Sequence, residues 1–168
     1  MNPVIEQFAK ACHDILKKDP GPEGREQVRQ RLEKVLVDES VIRDYFGPDS
    51  TSNRNILYED PELGFCIIAH VYDDERISKP HDHAHSWAIY GQVDGVTHMT
   101  EYRRVEDPAD GNPGKAEPVK TYDLEPGMAV GYEPGVLHAP VRHLPTKLLR
   151  IEGINLQDVK RDRYENVA

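Results

Sequence analysis

Residues 80–87 read Pro-His-Asp-His-Ala-His-Ser-Trp, and residues 134–138 read Pro-Gly-Val-Leu-His. Three of the eight histidines fall within five positions of the first stretch. Side chains at i and i+2 of an extended strand point to the same face. His81 and His83 therefore predict two imidazoles on one face, close enough to hold a single metal ion. Neutral imidazole is a good ligand for zinc, iron, copper and nickel. His85 forms a second such pair with His83 and stays eligible on spacing alone. The plain alternative is a solvated polar turn after Lys79-Pro80. In the second stretch Pro134-Gly135 supplies a tight turn, and His138 enters a strand three residues after that glycine.

The surroundings of both stretches read as β structure. From residue 51 onward short apolar runs alternate with Pro, Gly and Asp turns. The pattern predicts strands over 55–59, 64–72, 86–92, 97–104, 119–123, 128–132, 136–142 and 147–154. In 64–72 both alternating sets are largely apolar, which predicts a strand buried on both faces. Residues 105–118, rich in Pro, Gly and charge, read as an exposed loop between two halves of the sheet structure. Upstream, Ile5, Phe8, Cys12, Ile15 and Leu16 recur at helical steps, and Lys18-Asp19-Pro20-Gly21-Pro22 ends that helix. Val28, Leu32, Val35 and Leu36 mark a second helix, and Gly47-Pro48-Asp49-Ser50 closes the region. The expected organisation is a helical extension over 1–50, covering one outer face, and a barrel domain over 51–168. The barrel proper spans about 51–156, and a short tail follows. This count of strands, with helices only at the front, favours an antiparallel double-sheet barrel of jelly-roll type.

The totals narrow the partners. A chain of 168 residues suits one domain with an ordinary core. A formal net charge of −9 argues against nucleic acid or an anionic membrane, since both demand basic surface. No apolar run is long enough to span a bilayer. Met1-Asn2-Pro3-Val4 lacks the basic start of a signal peptide, which makes a cytoplasmic location the expectation. Cys12 and Cys66 read as buried free thiols, with no disulfide required.

The two histidine stretches together resemble the signature motifs of the cupin superfamily. His81 and His83 take the two histidine places of the first motif, and Gly95 takes its closing glycine. Glu75 stands where the opening glycine belongs, and the glutamate place falls on Ala88. In the second motif Pro134, Gly135 and His138 match, with Gly127 one residue further upstream than the pattern has it. The resemblance covers roughly residues 75–140. It implies a cupin double-stranded β-helix, mainly β, with the N-terminal helical extension described above. It also implies a metal site of His81, His83 and His138. A homodimer through a barrel edge is likewise a family-level expectation.

Ala88 cannot bind a metal, so the usual three-histidine-one-glutamate set becomes three histidines. Such a site resembles the thiol dioxygenases of the cysteine dioxygenase family. Three neutral ligands leave a divalent ion its full charge and open positions, which favours anionic ligands such as thiolate and carboxylate. A bound thiol then releases its proton. Asn53-Arg54-Asn55-Ile56-Leu57 looks like that family's Arg-Asn-Leu segment, and the resemblance implies that Arg54 fixes a substrate carboxylate. A guanidinium fork suits that role, while an exposed surface arginine is the bland reading. The likeness fails after the third histidine. The family's Ser-x-His-x-Tyr relay has no counterpart in Leu149-Arg150-Ile151-Glu152-Gly153-Ile154-Asn155-Leu156. Tyr102 or Tyr132 would then supply the proton from another strand.

The resemblance thus implies a mononuclear Fe(II) dioxygenase acting on a small thiol carboxylate, with O2 as co-substrate. Zn, Ni, Mn and Co remain alternatives to iron. The competing functions are a cupin isomerase, lyase or hydrolase using the metal as a Lewis acid, and a non-catalytic small-molecule-binding cupin. Among the remaining histidines, His85 is expected in a pocket or supporting role. His70 and His98 are expected as satisfied polar core residues, and His143 and His13 at the surface. Trp87 and Tyr90 are expected to line the barrel. One of Arg103 and Arg104 is a candidate to turn inward. A bulge near Ala84-His85 is needed to restore alternation before residue 88.

Overall fold

The computed structural model describes residues Met1–Ala168. Its first helix, α1 (Pro3–Lys18), starts where the Asn2 side chain accepts hydrogen bonds from the Val4 and Ile5 N–H groups. Proline at the first helical position is preorganised for that start. Helix α2 (Pro22–Val35) likewise begins at a proline, and α3 (Glu39–Phe46) is capped by Asp38, whose carboxylate accepts from Ser40 and Val41. The third helix was not expected. It has only eight residues and two buried apolar positions, Val41 and Phe46, too few to show a period.

Ten strands follow: β1 (Asn55–Glu59), β2 (Cys66–Tyr72), β3 (Arg76–Ile77), β4 (Ala88–Asp94) and β5 (Thr97–Glu106), then β6 (Gly114–Leu124), β7 (Ala129–Tyr132), β8 (Leu137–Arg142), β9 (Thr146–Glu152) and β10 (Tyr164–Asn166). They form two five-stranded sheets, ordered β1-β2-β9-β4-β7 and β10-β6-β5-β8-β3. All pairings are antiparallel except β10 with β6. Consecutive strands mostly cross from one sheet to the other, which is the double-stranded β-helix arrangement. The expected loop over 105–118 is shorter than anticipated. β5 runs on to Glu106, and β6 already begins at Gly114, pairing Lys115 with Glu106. Charge on those strands belongs to their exposed face. The tail does not hang free, because Tyr164 is buried and pairs with Gly114.

Period-2 alternation sorts the first sheet cleanly. Ile67, Ala69 and Val71 of β2, Ile89 and Val93 of β4, and Leu149 and Ile151 of β9 pack in one cluster with Ile5, Phe8, Leu32 and Phe46 of the helices. The helical extension therefore covers the outer face of that sheet. Burying each such side chain contributes on the order of 1.5–3 kcal/mol. Gly91 lies at the closest approach: a Cβ there would sit 2.7 Å from Leu36 Cδ2 and 2.9 Å from Leu32 Cδ2. The intervening residues of the same strands face the barrel interior. These include His70 and Tyr72 on β2, Ala88 and Tyr90 on β4, and Arg150 and Glu152 on β9. The interior thus holds an unusual share of polar and charged groups.

No helix is long and apolar enough to cross a membrane. Cys12 and Cys66 are both buried free thiols.

Candidate metal centre

The structure brings His81, His83 and His138 together, each offering a nitrogen, with all three nitrogens within 4.8 Å of one another. His81 and His138 are fixed by an isolated antiparallel bridge: His81 N donates to His138 O at 3.0 Å, and His138 N donates to His81 O at 2.9 Å. Each ring is anchored by a backbone carbonyl two residues before it. His81 Nδ1 lies 2.8 Å from the Lys79 carbonyl, and His138 Nδ1 lies 3.0 Å from the Val136 carbonyl. A carbonyl only accepts, so each Nδ1 carries the proton and each Nε2 is left as a lone-pair donor.

His83 comes from a turn rather than a strand. Ala84 adopts a left-handed φ of 54°, the Asp82 carboxylate accepts from Ala84 N, and Ser86 N donates to His83 O. This turn takes the place of the expected bulge and resets the register before β4. It leaves His83 Nε2 3.1 Å from His138 Nε2. Two nitrogens each about 2.1 Å from one ion are separated by roughly 3.0–3.4 Å in octahedral or tetrahedral geometry. The spacing therefore fits a shared cation. Burial disfavours the imidazolium at all three positions. It pulls His138 down to about 3, His83 far below its ordinary value, and His81 in the same direction. Three neutral imidazoles at neutral pH are the form a metal requires.

Ala88, at the place of the usual glutamate, is fully buried and faces inward beside Tyr90, Met99, Leu124 and Tyr132. No carboxylate joins the cluster. Asp82, between two of the histidines, turns its other oxygen to Arg104 at 2.9 Å. Arg104 also donates to Tyr164 Oη, so it supports the turn. Arg103 pairs with Glu117 at the surface.

Tyr90, expected only as barrel lining, faces inward and reaches the histidines themselves. Two residues past Ala88 on the same face, it places its hydroxyl 3.1 Å from His83 Nε2 and 3.4 Å from His138 Nε2. Tyr132 instead stacks on the His138 ring, centroids 3.9 Å apart and planes within 7°. Its hydroxyl is hydrogen-bonded to that of Tyr122, which donates to Glu101 at 3.1 Å. Burial pushes the Tyr132 phenol up, away from ready proton release. Tyr102 packs against Leu137, Ala116 and Tyr164.

Arg54 donates to Glu152 at 3.1 Å and to Asn155 at 2.9 Å. Glu152 is buried, and its other oxygen lies 2.9 Å from Arg150. Arg54 therefore reaches the interior through a carboxylate it shares with Arg150. Strand β9 carries this arginine–glutamate pair.

Beside the histidines a cavity of about 570 Å³ is lined by His81, Tyr90, Tyr72, Arg142 and Arg150, among others. The remaining sequence candidates lie elsewhere. His85 is exposed, and His98 is half-buried and paired with Asp123 on the outer face of β5, so it is not a core residue. His143 pairs with Glu75 at the surface. His70 is buried, with Nδ1 2.6 Å from the Asn53 carbonyl. His13 is half-buried against Asp60. Trp87 packs towards the helices instead of lining the barrel.

No family model and no curated protein matches the chain. Among solved structures it is similar to KdgF from Halomonas sp., at 19% identity over 59% of this chain and 74% of that one, with a TM-score of 0.43. It is similar to a cupin superfamily protein from Desulfitobacterium hafniense DCB-2, at 14% identity over 64% and 84%, with a TM-score of 0.45. A cupin-2 domain containing protein from Shewanella frigidimarina shows 16% identity over 70% and 95%, with a TM-score of 0.47. The strand order and the helices at the front define this chain's fold: a double-stranded β-helix of two five-stranded sheets with an N-terminal helical extension.

Proposed function

We propose that the chain is a mononuclear metal enzyme that oxidises a small anionic thiol, with His81, His83 and His138 holding Fe(II). The observation that carries this reading is the donor set itself: three neutral imidazoles, no carboxylate, and an arginine-lined cavity alongside. When bound, iron would supply a cationic site at which a thiolate and O2 meet. The overall change is R–SH + O2 → R–SO2H, in which both oxygen atoms end on sulfur and no further reductant is consumed.

The chain's own residues divide the remaining work. The backbone carbonyls of Lys79 and Val136 hold His81 and His138 in the tautomer that leaves Nε2 free. The Tyr90 hydroxyl lies within reach of a group bound at the imidazoles and can hold or return a proton there. Arg150, oriented by Glu152, presents positive charge to the cavity, and Arg54 positions that pair. Tyr132, stacked on His138, fixes the third imidazole.

A second reading is favoured by Tyr90 specifically. A phenol beside three imidazoles suits proton transfer in an isomerase, lyase or hydrolase that uses its metal as a Lewis acid. One experiment separates the two. The protein is purified without added metal, its metal content is measured, and oxygen uptake is followed with cysteine, 3-mercaptopropionate and related thiols. Iron with thiol-dependent oxygen consumption supports the dioxygenase. Zinc with no oxygen uptake eliminates it in favour of the Lewis-acid reading.

A further inference from the structure

Arg142 is an anomaly of charge. It is 4% exposed, yet it makes no ion pair. Its Nε donates to Thr97 Oγ1 at 3.0 Å, and Thr97 in turn donates to Gln92 Oε1 at 2.8 Å. Gln92 Nε2 donates to the Asp94 carbonyl. The guanidinium is thus held at one edge by a chain of neutral groups. Its carbon lies 5.3 Å from the centre of the Tyr72 ring, and the residue lines the cavity beside His81. A buried cation without a counter-charge is costly, and proteins ordinarily pair it.

The neighbours make the imbalance larger. Arg150 lines the same cavity with its guanidinium 5.4 Å from the Tyr90 ring centre, and its charge is felt at Arg142. Arg54, Arg142 and Arg150 have among them a single buried carboxylate, Glu152, and Arg142 has no share in it. Across the opening, the C-terminal segment adds Arg161 and Arg163. That segment is held by Gly114 N donating to Arg163 O and by the buried Tyr164. Arg161 lines the cavity together with His81. Asp162 and Glu165 are the acidic residues of the lining, so cations outnumber them. This concentration of positive charge sits in a chain whose net charge is −9. General surface composition does not account for it.

We propose that this cavity is the binding site of a small molecule bearing a doubly charged oxyanion, a phosphate or a pair of carboxylates, gripped by Arg142 and Arg150 and closed over by Arg161 and Arg163. This deepens the functional reading and rests on it for the other end of the molecule, which faces His81 and Tyr90. A monoanion leaves the arginine pair under-neutralised, while a dianion satisfies two guanidinium forks at once.

The test needs no turnover. Binding of inorganic phosphate, succinate and acetate is measured calorimetrically on the full chain, metal-loaded and as the metal-free His138→Ala variant. The expected result is binding of phosphate or succinate at least tenfold tighter than acetate in both forms, and which of the two wins assigns the oxyanion. Arg142→Gln should lose tenfold or more. The doubly substituted Arg161→Gln/Arg163→Gln protein alters only exposed side chains, so it folds normally. It should lose a few-fold, and that loss should shrink as salt rises. No preference for dianions, or unaltered phosphate and succinate binding in both variants, overturns the proposal. Metal bound without dianion binding removes this inference and leaves the metal reading standing. Dianion binding without any metal does the reverse.

Discussion

The Tyr90 hydroxyl and His83 Nε2 are 3.1 Å apart, and the same hydroxyl lies 3.4 Å from His138 Nε2. A hydroxyl placed between two imidazoles of one cluster is positioned to touch whatever binds there. Its closest hydrogen-bond partners are those imidazoles, and Arg150 packs over its ring, so phenylalanine in its place should preserve the fold. Tyr90→Phe is therefore expected to retain metal at wild-type stoichiometry while turnover falls by roughly 10²–10⁴-fold, the usual share of a general acid or base. Metal analysis alongside steady-state rates decides this. An unchanged kcat would remove Tyr90 from the chemistry.

His83 differs from its two partners in having a buried Nδ1 with no hydrogen-bond partner. Its place is justified by what its Nε2 does, not by the fold. His83→Ala should abolish stoichiometric metal binding yet still unfold cooperatively. Wild-type protein should gain about 2.7 kcal/mol of stability when free metal exceeds its Kd a hundredfold, and the variant should gain nothing. Thermal unfolding with and without Fe(II) or Zn(II) reads both. Metal retained at one per chain by the variant would refute the ligand set.

Arg54 presents a choice between two roles that predict different losses. As the direct holder of a substrate carboxylate, its replacement would raise KM and spare stability. In the structure it is occupied by Glu152 and Asn155. Removing it leaves a buried carboxylate with Arg150 as its remaining charged partner. Arg54→Ala is therefore expected to cost roughly 1–3 kcal/mol in urea unfolding. It should raise KM less than Arg142→Gln does. A KM effect with full stability would return Arg54 to direct substrate contact.

What could be read from the chain, and what could not, follows from the range of each interaction. Helices α1 and α2 repeat apolar residues at three- and four-residue steps, so their period is visible. The strands around the site alternate or are apolar throughout. His81, His83 and His138 stand at spacings that a local turn and two strand ends explain. Ala88 could be recognised as a non-ligand because its place is fixed relative to Gly95. Tyr90 was legible as barrel lining but not as a neighbour of the histidines. That needs the register of β4 after a turn whose left-handed Ala84 no local rule demands. The interior arginines were missed for a different reason. Charged residues are expected outside, and Arg142 and Arg150 run against that expectation. β10 is three residues long and held by a parallel pairing to a distant strand, so nothing nearby in sequence announces it.

Gly95, the closing glycine of the first motif, has a φ of +73° in the turn between β4 and β5. A Cβ there would fall 2.5 Å from the Pro145 carbonyl oxygen, a backbone atom that cannot swing aside. Strain in the left-handed region and that clash act together. Gly95→Ala should lower stability by about 1–3 kcal/mol or more, with no direct effect on metal affinity once folded. Chemical denaturation gives the first quantity and metal titration the second. A variant as stable as wild type would mean that the turn is free to change shape.

Asp60 ties the helical extension to the barrel, and its charge should be visible in the pH dependence of stability. The side chain is 2% exposed. Burial alone would raise its pKa. It accepts from Leu63 N at 2.7 Å and Glu62 N at 3.0 Å, and meets His13 Nδ1 at 2.9 Å and Tyr58 Oη at 3.1 Å. These partners outweigh burial and hold the carboxyl below its ordinary value of 3.8. A carboxyl whose folded pKa is depressed contributes stability that is fully present above its unfolded pKa. That stability is lost as pH falls through the folded value. Asp60→Asn should therefore be roughly 1–3 kcal/mol less stable than wild type at pH 7. The gap should hold down to about pH 4 and close below it, as the wild-type carboxylate takes up its proton. Urea midpoints for both proteins between pH 7 and pH 3 give the comparison. A gap that stays constant through the acid range would show that the substitution acts through packing and not through the charge.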